Sequence, residues 1–189
     1  LVISATSTNA ALIDNGSFTT DTDNGFDWLD LTISMGYSYN ELITETSAGG
    51  AFDNYRLASV SEVQTLFTSA TLPTIGSYTT DFSPINALID LVGSTSSQDT
   101  YLQTMGITST ENTFGHSLVT LDFLYKNGTP TYHISDGTTF GDHYGSLSSG
   151  GWLVRNSVAV DVPEPATFSL LAFSLIGLVF HRRQKNRRV

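Results

Sequence analysis

The sequence predicts an α+β protein: one compact domain with two or three short helices and antiparallel hairpins, followed by a C-terminal hydrophobic helix. Two capping-box patterns predict helices in the first half of the chain. Two Asn-Gly turns between apolar stretches predict hairpins, and a charge-free apolar run near the end predicts the last helix. Most of the predicted strands follow the helices, which is typical of an α+β fold.

The chain of 189 residues divides into three predicted parts. Residues 1–10 resemble the end of a secretory signal peptide, with Thr8 and Ala10 three residues and one residue before a cut after Ala10. A frayed first strand is the alternative interpretation of this stretch. Residues 11–160 are predicted to form an extracytoplasmic domain, and residues 161–189 a separate C-terminal segment.

Asn-Gly turns predict two hairpins, with turns at residues 23–25 and 126–128. The flanking strands are predicted at residues 18–20 and 26–31 for the first hairpin and at 118–125 and 129–135 for the second. A closing strand is predicted at residues 149–160, which would bring the two ends of the domain close together.

The pattern Ser-x-x-Glu predicts two helix starts, because serine caps the third backbone amide and glutamate caps the serine amide in return. It occurs at Ser38 with Glu41 and again at Ser59 with Glu62. The second helix has an apolar face made of Val60, Val63, Leu66 and Phe67. A third helix is predicted over residues 84–92, with Ser83 as its N-cap and Pro84 at its first position.

Composition and charge exclude several classes of function. The chain has no cysteine, which excludes a disulfide framework, a zinc–thiolate site and a cysteine nucleophile. Its net charge is −10, but residues 1–161 hold 3 basic and 17 acidic residues, so their balance is 3 − 17 = −14. Since such a surface repels phosphate backbones, we expect no nucleic-acid partner.

Acidic residues and histidines are the candidates for a metal or catalytic site. Asp21, Asp23 and Asp27 surround a glycine, but they lack the ligand spacing of an EF-hand and are better explained as turn formers. The other candidates are His116, His133 and His143, near Asp122, Asp136 and Asp142 in the sequence. No HxH, HExxH or GxSxG pattern is present. We therefore expect no catalytic residues, no metal site, no cofactor and no enzymatic activity. In the second hairpin, His133 is expected to face residue 122.

Two tryptophans and two arginines are given structural roles. Trp28 and Trp152 are interpreted as core residues, with platforms for sugar rings as the alternative. Arg56 and Arg155 are predicted to form buried or half-buried ion pairs with the carboxylates of Asp27, Asp30 or Asp53.

The C-terminal segment combines three features. The two prolines of Pro163-Glu164-Pro165 keep the backbone extended. Residues 166–180 lack charge and would form a helix of roughly 22 Å, short for a hydrocarbon core of about 30 Å. The basic residues of the 181–189 tail are Arg182, Arg183, Lys185, Arg187 and Arg188. They place the C-terminus in the cytoplasm and the domain outside, and they disfavour the alternative of a buried core helix.

In this order, Pro-Glu-Pro, a short transmembrane helix and basic residues resemble the PEP-CTERM sorting signal of Gram-negative bacteria. The resemblance implies that exosortase, an integral membrane transpeptidase-like protease, recognises the segment and cuts near Pro163, Glu164 and Pro165. It further implies export through an inner-membrane intermediate, transient anchoring by the C-terminal helix, and a cell-surface or extracellular-matrix destination. Cargo of this family is associated with extracellular polysaccharide and biofilm.

The domain itself carries a second resemblance. Three blocks, at residues 27–32 (with the letters WLDLT at 28–32), 49–58 (GG-x-F) and 150–155 (GGWLVR), resemble blocks in the ectodomains of PEP-CTERM proteins and, more distantly, bacterial C-type lectin-like domains. Lectin disulfides and lectin calcium motifs are missing, so calcium-dependent sugar binding is not implied.

Two functions are therefore predicted, in this order. The first is a non-catalytic surface or matrix-associated protein processed by exosortase. The second is a module that binds carbohydrate or another matrix polymer through a lectin-like face, and an extracellular hydrolase is the weakest alternative.

Overall fold

The structure, a computed structural model, describes residues 12–98, 101–138, 141–143 and 145–157. The chain divides into two units, Leu1–Ser157 and Val158–Val189, and all described residues belong to the first. The described helices are α1 (Tyr39–Glu45), α2 (Val60–Ser69) and α3 (Ser83–Val92), together with a 3-10 helix at Leu31–Ser34. The described strands are β1 (Leu12–Asp14), β2 (Phe18–Asp21), β3 (Phe26–Leu29), β4 (Arg56–Leu57), β5 (Tyr78–Thr79), β6 (Ser96–Gln98), β7 (Tyr101–Asn112), β8 (Gly115–Lys126), β9 (Thr129–Thr138), β10 (Gly150–Gly151) and β11 (Leu153–Asn156).

The strands form two sheets. The five-stranded sheet has the order β1-β2-β3-β11-β4, and the six-stranded sheet has the order β10-β7-β8-β9-β5, with β6 also paired to β7. The pairings are antiparallel except that of β10 with β7, which is parallel. Helices beside antiparallel sheets confirm the predicted α+β class.

Both predicted capping boxes are present. The Ser38 hydroxyl accepts from the Glu41 amide at the start of α1, and Ser59 does the same for Glu62 at the start of α2. The third helix is also present, but its predicted N-cap is wrong. Ser83 lies inside α3 after an N-cap at Phe82, because the Asp81 carboxylate accepts from the Ser83 amide at 3.1 Å.

Both predicted hairpins are present. The second strand of the first hairpin ends at Leu29 and not at residue 31, since Leu31 begins a 3-10 helix, and the second hairpin is longer than expected. β2 pairs with β3, and β8 pairs with β9 over ten consecutive residue pairs from Ser117 to Lys126. The turn of the second hairpin places Asn127 at φ 53° and Gly128 at φ 79°. Two positive φ angles match the twist of a tight hairpin and favour Asn-Gly.

The predicted closing strand is divided between the two sheets. Gly150–Gly151 pairs with β7, whereas Leu153–Asn156 lies between β3 and β4. Between these strands, the Trp152 amide donates to the Ile107 carbonyl at 2.9 Å and its indole N–H to the Val119 carbonyl at 3.2 Å. The segment therefore joins the two sheets through Trp152, and residues 158–160 of the predicted strand lie outside the described residues.

Both tryptophans lie in the core, as predicted. Trp28 and Trp152 are 1% and 0% exposed, and their rings meet edge to face with centroids 6.3 Å apart. Phe67 from α2 packs edge to face on Trp152 at 5.8 Å. The same cluster takes apolar residues from α3, β8 and β9, so α2 and α3 cover one face of the six-stranded sheet.

Candidate functional site

The predicted sorting residues lie outside the described residues. These are Pro163, Glu164 and Pro165, the helix at 166–180 and the basic residues of the tail. Among the described helices, none has the length and apolar character needed to cross a membrane.

The predicted role of the early aspartates as turn formers is confirmed for Asp21. Its buried carboxylate accepts from the backbone amides of Asp23 and Asn24 at 3.1 and 3.2 Å. The Ser69 hydroxyl at the end of α2 also donates to it, at 3.1 Å. This carboxylate therefore holds the β2–β3 turn against α2.

From the second predicted group, histidines near aspartates, the structure brings His116 and Asp142 together. Nδ1 of His116 lies 2.8 Å from Oδ1 of Asp142, and the histidine side chain is only 8% exposed. Tyr39 stacks on the imidazole with ring centroids 3.4 Å apart and an angle of 12° between the planes. Burial, and after it the carboxylates of Asp142 and Glu111, raise the pKa of Tyr39.

This cluster fastens residues 141–143 to α1. The Asn40 amide donates to the Asp142 carbonyl at 3.1 Å, and the Asn40 side chain lies 3.0 Å from Nδ1 of His143. The buried ring of His116 thus serves as an attachment point for the segment. Within the described part of the chain, no group of three histidine, aspartate or glutamate side chains is arranged to hold a metal ion.

Of the two predicted arginine ion pairs, the one made by Arg155 is confirmed. Arg155 Nε donates to Oδ2 of the buried Asp27 at 3.0 Å. Its guanidinium also lies over the rings of Phe18 and Tyr55, 4.9 and 4.8 Å from their centroids. The paired carboxylate and the two rings therefore stabilise this cation together.

Arg56 pairs with a different carboxylate from those predicted. It makes a two-pronged pair with Glu62, the capping glutamate of α2, with Nη1 and Oε2 3.0 Å apart. The guanidinium, and after it the Ser59 amide, lower the pKa of Glu62 to about 2. At the other capping box, the Ser38 amide and then its hydroxyl lower the pKa of Glu41.

The side of the six-stranded sheet opposite α2 and α3 carries polar side chains, among which Thr120 is buried, and it also carries Leu118 and Leu124. We call the polar side chains the polar sheet face and define it as Tyr78, Thr120, Asp122, Lys126, His133 and Ser135. His133 pairs with Asp122 across the hairpin, as predicted, and Ser135 pairs with Thr120. Sequence reasoning identified Asp122 and His133 but missed Tyr78, because a two-residue edge strand has no periodic signal.

An α+β domain followed by Pro-Glu-Pro, an apolar stretch and a basic tail defines a class: an exported protein with a C-terminal sorting signal. Comparison with protein families identifies that signal, since residues 161–183 match the PEP-CTERM protein-sorting motif. The motif implies export, processing at the membrane and exosortase as the processing partner. No curated protein and no solved structure matches the chain.

Proposed function

We propose that this chain is a non-catalytic protein of the cell surface or extracellular matrix, delivered there after exosortase removes its C-terminal segment. The match of residues 161–183 to the sorting motif carries the proposal. Under it, residues 166–180 anchor the chain transiently in the inner membrane with the C-terminus in the cytoplasm. The short apolar length and the arginines that follow support this orientation.

The described domain supports a structural role rather than catalysis. His116 and Asp142 are the nearest approach to a catalytic pair, yet the ring of His116 is buried under Tyr39. The contact between His116 and Asp142 holds residues 141–143 on α1. A buried imidazole with this structural role has little access to a substrate.

To test the proposal, the full chain is expressed in a host with exosortase and in one without it, and its C-terminus is mapped by mass spectrometry. With exosortase, the chain is expected to lose its tail near Pro163. A variant carrying Pro163→Ala and Pro165→Ala is expected to keep the tail, because the extended segment becomes free to join the helix. Pro73→Ala, in a loop of the domain, is the matched control and is expected to be processed normally.

Two results contradict the proposal. One is an intact tail on the unaltered chain in both hosts. The other is equal cleavage with and without exosortase, which would assign the cut to another protease.

A second candidate function is a module that binds carbohydrate or another matrix polymer, associated with extracellular polysaccharide and biofilm. The observation that favours it is the polar sheet face, whose Tyr78 ring is 44% exposed beside hydrogen-bonding side chains. The lectin-like fold stays a prediction from the sequence blocks at 27–32, 49–58 and 150–155.

A further inference from the structure

The register of the second hairpin separates a buried face from a polar one. Val119 and Leu121 on β8 lie in the main core together with Tyr132 and Ile134 on β9. Because successive side chains of a strand point to opposite faces, the residues next to these four along each strand point away from that core. Those positions carry the polar sheet face together with Leu118 and Leu124, and none of the six side chains of the polar sheet face belongs to the main core.

Hydrogen bonds hold one half of the polar sheet face in place. The Thr120 hydroxyl donates to Oδ2 of Asp122 at 2.6 Å and lies 2.6 Å from the Ser135 hydroxyl. These contacts fix three side chains on two neighbouring strands. Side chains that are ordered before binding lose less entropy when a ligand arrives.

Ring contacts order the other half. The Tyr78 ring stacks on His133 with centroids 4.4 Å apart and an angle of 12° between the planes. Nζ of Lys126 lies 3.4 Å from the centre of the Tyr78 ring. A groove of about 300 Å³ borders this ring and is lined also by Thr79, Thr80 and Thr131.

The polar sheet face keeps hydrogen-bonding groups that the described residues do not use. In the described ranges, neither ring nitrogen of His133 has a hydrogen-bond partner and Lys126 has no ion pair. Asp122 accepts a single side-chain bond, from Thr120. Lys126 and His133 therefore offer donors, and Asp122 an acceptor, beside a fixed aromatic ring, which suits a ligand with many hydroxyl groups.

We propose that the polar sheet face binds a neutral polysaccharide chain. Sugar hydroxyls would donate to Asp122 and accept from Lys126 and His133, while an apolar sugar face would contact the exposed edge of Tyr78. The balance of −14 on residues 1–161 disfavours a polyanion, because Lys126 is the only cation in this row of side chains. The inference deepens the second candidate function and rests on the proposed export, since such polymers are met outside the cell.

The test is affinity electrophoresis of the purified full chain in native gels that contain dextran, galactomannan, mixed-linkage glucan or, as a polyanion, alginate. At least one neutral polymer is expected to retard the chain. Tyr78→Ala and His133→Ala are each expected to weaken that binding about tenfold, the effect of losing one good hydrogen bond or ring contact. Tyr125→Ala is the matched control, since Tyr125 is a more exposed tyrosine, at 64%, on the opposite side of the same hairpin.

Three results overturn the inference: no retardation by any neutral polymer, unchanged binding in both variants, or an equal loss in Tyr125→Ala. If Tyr78→Ala does not fold, Asp122→Asn and His133→Gln preserve side-chain size and decide the question by the same criterion. Exosortase takes no part in this assay. A failure here therefore leaves the processing experiment untouched, and a failure of processing leaves the binding result untouched.

Discussion

The two capping boxes allow the contribution of a single ion pair to be measured. Glu41 and Glu62 occupy the same position in their helices and accept from the amide and hydroxyl of their serines. They differ because Glu62 also pairs with Arg56. The change Glu62→Gln keeps an oxygen for the serine amide and removes the charge, and Glu41→Gln does the same without an arginine nearby.

The size and sign of the effect follow from the pKa of Glu62. A fall from the ordinary 4.5 to about 2 corresponds to roughly 3 kcal/mol in the free energy of unfolding. Because the Arg56 side chain is 52% exposed, water screens the pair, and we expect about 1–2 kcal/mol. Since the folded pKa lies below the unfolded one, the stabilisation is complete above pH 4.5 and is lost as the pH falls through about 2.

Urea unfolding followed by the fluorescence of the buried Trp28 and Trp152 measures these free energies. At about pH 7, Glu62→Gln is expected to lose more stability than Glu41→Gln, and the difference is expected to shrink at about pH 3. A double-mutant cycle with Arg56→Ala isolates the pair itself. Equal losses in both glutamine variants at pH near 7, or a loss for Glu62→Gln that does not depend on pH, would refute the role of the arginine.

Two further changes test the joint between the sheets and the buried ion pair. Gly150→Ala places a Cβ against the Leu31 carbonyl oxygen and is expected to lower the free energy of unfolding by about 3 kcal/mol or more. Gly137→Ala is the control, because there is room around its Cβ, and it is expected to be nearly neutral. The same urea titration measures both variants. Arg155→Met leaves the buried Asp27 carboxylate without its cation and is expected to lower the thermal midpoint by an amount equivalent to about 2–4 kcal/mol. Adding Asp27→Asn to that variant is expected to restore part of the loss, and an additive double variant would contradict the pairing.

Features made by neighbouring residues were predictable from the sequence. The capping boxes at Ser38 and Ser59 depend on residues three apart, and the turn at Asn127-Gly128 depends on two positive φ angles. The C-terminal sorting motif is likewise a short linear pattern, and the family comparison confirms it. Such signals need no knowledge of the rest of the fold.

β7 was not predicted, because Thr104, Gly106 and Thr108 occupy the buried positions on one of its faces and give no apolar alternation there. Their burial is stabilised by contacts from elsewhere in the chain. The Thr104 hydroxyl donates to the Gly93 carbonyl, and a Cβ at Gly106 would meet the Trp152 ring. A strand of this kind becomes recognisable only when its neighbours are in place.

The sequence by itself determined the helix starts, the hairpin turns, the burial of both tryptophans and the sorting signal, because each depends on local hydrogen bonds or on residue type. Only the tertiary structure decided that Arg56 pairs with Glu62, that His116 meets Asp142, and that Tyr78 joins Asp122 and His133 on one sheet face. Such contacts depend on strand order and register. Strand order and register are set by how the whole core packs, and sequence spacing carries little information about them.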